Sequence, residues 1–204
     1  MIGDKRAART AFALALPLLA LSAASAAAAP ADPSGTYLTE DGRARIRVER
    51  CPSSSEQMCG YVVWLKTPLN DQGQPRMDFR NPDTKRRDRL SLGHQMFMGL
   101  KPNSDDRYAG QVYNSDDGKR YDVSIWPESA DVLNVRGCLV AFLCKTQEWK
   151  RTTDVPGGQL AGPTGGANGP RPDPEFAGRT GTAAAQPAAR RPAPAPAAAQ
   201  PPKP

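Results

Sequence analysis

Between Gly35 and Arg151, short apolar or alternating stretches recur at intervals of roughly ten residues, each bounded by turn-forming residues, a rhythm that suits strands rather than helices. The clearest is Ala44-Arg45-Ile46-Arg47-Val48-Glu49. It sets Ala44, Ile46 and Val48 on one face and Arg45, Arg47 and Glu49 on the other. After a polar turn, Gly60–Leu65 is rich in β-branched and aromatic residues and is expected to pair with it as a hairpin. Further strands are expected over Gly35–Thr39, Leu92–Leu100, Tyr108–Tyr113, Arg120–Trp126, Val132–Cys138 and Cys144–Arg151. Roughly seven or eight short strands joined by tight turns imply an all-β fold: a small antiparallel up-and-down β-barrel, with a β-sandwich as the alternative. Closure is the more attractive because it removes exposed strand edges. The interior of such a barrel is either filled by side chains or holds one small ligand.

The ends of the chain have different compositions. Residues 1–29 carry a basic start (Lys5, Arg6, Arg9), an apolar stretch from Ala11 to Ala23 and small residues after it, the three parts of a secretory signal peptide. Cleavage is expected near Ala26 to Ala29, giving a periplasmic or secreted product. The apolar stretch is too short for a bilayer-spanning helix, and no membrane span is expected in the mature chain. From Asp154 to Pro204 lie 12 of the 21 prolines and 8 of the 18 glycines, with Phe176 the one aromatic. Such a segment buries too little apolar surface to offset its ordering entropy, so residues 154–204 are expected to be a disordered tail. The folded domain is thus expected over residues 30–153.

The formal charge of +6 overstates the basic character of that domain, because the first 29 residues and the tail each carry +2 of it. The remaining +2 gives no reason to expect a nucleic-acid partner. Four cysteines, Cys51, Cys59, Cys138 and Cys144, fall inside the domain, and an export signal places them in an oxidising compartment. Each sequential pair would lie across the end of a hairpin, so Cys51–Cys59 and Cys138–Cys144 are the expected disulfides. Neither pair has the close spacing of a zinc site, and no metal or other cofactor is expected.

His94 is the single histidine, so any histidine-dependent chemistry would rest on it alone. There is no Gly-x-Ser-x-Gly, no Gly-rich phosphate loop and no calcium-loop pattern; Asp116-Asp117-Gly118 is a hairpin turn. The chain is not expected to be an enzyme. Arg43, Arg45 and Arg47 share a strand face that is either solvated or able to meet an anion. Large aromatics in strands fill a small barrel or line its pocket, and an inward-facing Arg136 would need a carboxylate or an anionic ligand. The candidate ligand-binding residues are Trp64, Arg89, Tyr113, Tyr121, Arg136 and Trp149. Between Pro68 and Arg89 runs a long polar loop with room for one short helical turn, a length that often marks a functional segment.

Several patterns together resemble a known family: Cys59-Gly60 followed by Val63-Trp64-Leu65 and Pro68; Asp71, Gly73, Asp78, Asn81-Pro82 and Arg89; Gly110-x-Val112-Tyr113 leading to Asp117-Gly118-Lys119 and Tyr121; and Leu133-x-Val135-Arg136-Gly137 with Gln147-x-Trp149-x-Arg151. From Gly35 to Arg151 the chain is similar to the bacterial exported domain-of-unknown-function 2147 family, with Tyr37 standing where that family would have Trp. The resemblance implies a lipocalin-like barrel and transfers no catalytic residue. The expected function is binding of a small apolar or amphipathic ligand in the cell envelope, through a barrel mouth near the Asp71–Arg89 loop. The alternative is a protein-binding envelope module, such as a hydrolase inhibitor, acting through exposed loops.

Overall fold

The computed structural model describes residues 30–178 apart from Ala141. The expected signal peptide and the tail beyond Gly178 lie outside the described residues. Eight strands follow in order: β1 (Gly35–Leu38), β2 (Ala44–Cys51), β3 (Ser54–Leu65), β4 (Gln95–Pro102), β5 (Tyr108–Asn114), β6 (Lys119–Pro127), β7 (Val132–Val140) and β8 (Leu143–Thr152). Each pairs antiparallel with the next, and β8 returns to β1 through Thr36–Thr152 and Leu38–Lys150, so the sheet closes as an up-and-down barrel rather than a sandwich. Among the described residues no helix is long and apolar enough to cross a membrane.

Period-two alternation sends one set of side chains inward from every strand. Tyr37, Val48, Met58, Leu100, Tyr108, Ile125 and Leu133 are buried together and fill one half of the barrel. That half is its closed pole. Tyr37 takes up the position noted above and is itself fixed there: its hydroxyl donates to the Pro33 carbonyl at 3.0 Å and accepts from Arg151 at 2.6 Å. Arg151 also donates to the carbonyls of Ser34 and Ala130 and lies over the Tyr37 ring, sewing the chain before β1 to the β6–β7 turn. Cys51–Cys59 ties β2 to β3, and Cys138–Cys144 ties β7 to β8, as expected.

Strand β3 is buried on both faces from Met58 to Val63, which alternation alone does not explain. Its outward side chains Cys59, Tyr61 and Val63 form a second apolar cluster with Cys51, against which Val155, Leu160 and Phe176 pack. Residues 154–178 therefore form a strap across the outside of the barrel, and the structured part of the chain extends beyond the boundary expected at Asp154. Few apolar groups are needed, because polar anchors hold the backbone. Arg47 donates to the carbonyls of Leu160, Ala161 and Gly162; Leu160 N–H donates to the Val63 carbonyl; and the Gln159 amide bonds both backbone groups of Leu65. Arg45 pairs with Asp154 at 2.5 Å. Arg45 and Arg47 thus meet the strap, whereas Arg43, just ahead of β2, is exposed and pairs with Asp41.

Inside the barrel Gly60 faces Phe97, and a Cβ there would overlap the phenylalanine ring. Gly60→Ala is expected to cost on the order of 1–3 kcal/mol through overpacking, read as a lowered midpoint in urea unfolding with an unchanged slope.

Candidate functional site

In an up-and-down barrel alternate connections share a pole, so the β1–β2, β3–β4, β5–β6 and β7–β8 loops meet at the end opposite the filled half. There the interior opens into a cavity of ≈ 940 Å³. This is within the size of sites that take small molecules. Its floor is Ile46, Val62, Phe97, Val123, Val135 and Trp149, with Phe97 and Trp149 stacked at 5.8 Å and 11°. Its walls rise through Ala44, Leu65, Met96 and Val112 to a rim that bears Arg43, Arg76, Arg80 and Lys145 together with Asp41 and Asp116. A molecule entering it would meet charge at the rim and hydrocarbon below.

The long β3–β4 loop forms one side of this mouth, with a single 3₁₀ turn at Thr84–Arg86. It is held by a buried carboxylate. Asp78 is 0% exposed and accepts from Arg89 Nε at 2.8 Å, from Asn81 Nδ2 at 2.8 Å and from the Tyr113 hydroxyl at 2.5 Å. A charge so desolvated persists only when its oxygens are satisfied, and here three donors from two chain segments do so. Burial, and then the hydrogen bond to Asp78, raise the Tyr113 pKa, so its phenol stays protonated and donating. Arg89 goes on to Asp173 at 3.0 Å and stacks on Tyr113, while Arg86 bonds Asp173 at 2.6 Å and Glu175 at 3.3 Å. One ionic chain thereby joins loop, barrel and strap. The β5–β6 turn meets the loop as well: Gly118 has φ +74° and a Cβ there would strike the Arg80 carbonyl, so this position requires glycine on both counts.

His94 is buried beside the cavity, edge-on to Tyr113 at 6.0 Å. Its Nδ1 lies 2.6 Å from the Ser91 carbonyl, which can only accept, so Nδ1 carries the proton. Burial, and then the charge of Arg89, lower its pKa and keep the ring neutral.

Of the candidate residues, Tyr121 and Trp149 line the cavity, and Tyr113 borders it while anchoring the loop from the outer face of β5. Arg89 lies outside the cavity in the ionic chain. Two residues point elsewhere. A bulge between β2 and β3 sets Val62 opposite Ile46 and Trp64 opposite Arg45, so Trp64 lies on the outer face beneath the Arg45 guanidinium. Arg136 is exposed, because its neighbours Val135 and Gly137 take the inward positions, so the condition for its meeting an anionic ligand inside the barrel is not met. Sequence reasoning passed over Val112, Val123 and Gln147, which the same alternation that selects Tyr121 and Trp149 would have selected. It also passed over Met77 and Phe79, whose loop carries no such period.

Residues 35–151 match the model of a family described as "Uncharacterized protein conserved in bacteria (DUF2147)". No curated protein matches the sequence. Among solved structures, the chain is similar to HP1028 of Helicobacter pylori, described as belonging to the lipocalin family. The identity is 23% and the TM-score 0.50, covering 60% of this chain and 84% of that one, a likeness that speaks to the fold.

The neutral, buried His94 makes stability pH-dependent. Its unfolded pKa is about 6.5 and its folded pKa lies below that, so the unfolded state takes up protons first as acid is added. The contribution is fully present above about pH 6.5 and is lost as pH falls through the folded value. Thermal unfolding is expected to shift to lower temperature between about pH 7 and pH 5, and His94→Gln to flatten that dependence.

Proposed function

The chain belongs to the bacterial DUF2147 family, and from that footing we propose that it is a binding protein of the cell envelope, not an enzyme, which takes one small apolar or amphipathic molecule into the open half of its barrel. The observation that carries this reading is the cavity itself: hydrocarbon and aromatic side chains make its floor and walls, and charge is confined to its rim. Apolar burial supplies the affinity in such a site, and a few polar groups fix orientation. Tyr121 and Gln147 are the polar groups best placed for that within the wall. The envelope location is supported by the pair of disulfides, which persist where thiols are oxidised.

Native mass spectrometry of the protein purified from its own cell envelope is expected to show a bound small molecule that organic extraction removes. A second measurement uses the amphiphilic dye anilinonaphthalene sulfonate, whose fluorescence rises in a dry apolar site. Ala44→Trp directs an indole from the wall into the void, so it should weaken dye binding at least about tenfold while stability falls by less than about 1 kcal/mol. Unchanged dye binding, together with an envelope-purified protein that carries nothing, would overturn the reading.

A further inference from the structure

The open pole exposes apolar side chains as well as an opening. In the β7–β8 connection Phe142 is 90% exposed, Leu139 63%, and Val140 and Leu143 more than half. Across the mouth, Phe79 and Leu69 of the β3–β4 loop are likewise exposed. Six large apolar side chains at one pole are more than the scatter of single exposed residues expected on any surface. They are also held there. Cys138–Cys144 closes the β7–β8 hairpin directly below its tip, and the ionic chain of Asp78 fixes the segment that carries Phe79.

Charge surrounds this apolar rim. Among the cavity-lining side chains four cations, Arg43, Arg76, Arg80 and Lys145, stand against two carboxylates, Asp41 and Asp116. Arg43 and Lys145 are partnered, by Asp41 and Glu40, whereas no carboxylate pairs with Arg76 or Arg80 among the described residues. Apolar tips projecting between cations form the arrangement that a bilayer with anionic headgroups accepts, the tips entering the acyl boundary and the cations remaining at the headgroups. A folded protein partner would match the apolar tips too. Charge decides between them: Arg76 and Arg80 stand at the rim with no carboxylate partner among the described residues, which suits a surface of anionic headgroups, and Leu139 and Phe79 project beside them.

We propose that the open pole is a docking surface for an anionic lipid bilayer, with Phe142, Leu139 and Phe79 as the inserting side chains. The surface stands on its own residues and does not require the cavity to be occupied, so it succeeds or fails separately from the binding reading above.

The test is flotation of the full chain, as the cell processes it, with vesicles of phosphatidylglycerol and phosphatidylethanolamine or of phosphatidylcholine alone. Co-flotation is expected with the anionic vesicles, with much less on phosphatidylcholine or in high salt. Phe142→Asp should reduce it at least roughly tenfold while leaving thermal unfolding and dye binding in solution unchanged, since the side chain is exposed. Phe142→Trp gives an independent signal, an indole emission that shifts to the blue when anionic vesicles are added. Three results would overturn the proposal: no flotation with either vesicle, flotation indifferent to Phe142→Asp, or self-association in the absence of lipid that Phe142→Asp abolishes without any vesicle binding.

Discussion

A single fully buried carboxylate determines the arrangement around the cavity. Asp78 lies in the middle of the longest connection, and its three donors come from that connection and from β5. Without it Arg89 would lose one of its two carboxylates, the Tyr113 hydroxyl its acceptor, and the loop its attachment to the wall of the barrel. Removing one member of a buried ionic group is strongly destabilising, because the others remain desolvated. Since Arg89 also holds Asp173, the same carboxylate indirectly secures the strap that covers the outer face of β3. Loop, wall and strap form one connected electrostatic unit.

Side-chain size explains why one half of the barrel is solid and the other hollow. Toward the closed pole the inward positions are taken by Tyr37, Tyr108, Met58, Leu100 and Leu133, which meet across the axis. Toward the open pole many of them are taken by smaller residues, Ala44, Val62, Val112, Val123 and Val135, and these, with Tyr121 and Gln147 beside them, leave the axis open. Barrel diameter is fixed by strand number, so smaller residues at the same backbone spacing leave space between them. The stacked Phe97 and Trp149 stand at the boundary between the halves.

Much of this was legible in the sequence, for particular reasons. The strands were readable because residues such as Tyr121, Val123 and Ile125 alternate with Asp122, Ser124 and Trp126, and the disulfides because each pair closes one hairpin. The order Asp78, Asn81-Pro82, Arg89, Tyr113 and Gly118 was visible as a family pattern, while its meaning was not: these residues brace a loop and do not touch the cavity floor. The strap was hidden because composition measures burial averaged over a segment, and a few side chains such as Leu160 and Phe176 aided by backbone hydrogen bonds suffice to seat it. A signal for it did exist. Cys59 to Leu65 is apolar on both faces, which in a barrel strand requires a cover outside as well as a core inside. The outward turn of Trp64 follows from a bulge, and bulges shift facing by one residue without a reliable mark in sequence.

The strap also fixes where the remaining chain departs. Phe176 bonds the backbone of Ser53, and Gly178 lies against the Pro52 carbonyl in the β2–β3 turn, at the pole away from the mouth. Whatever follows Gly178 therefore leaves the barrel from its base, like the stem of a cup whose bowl opens at the opposite end.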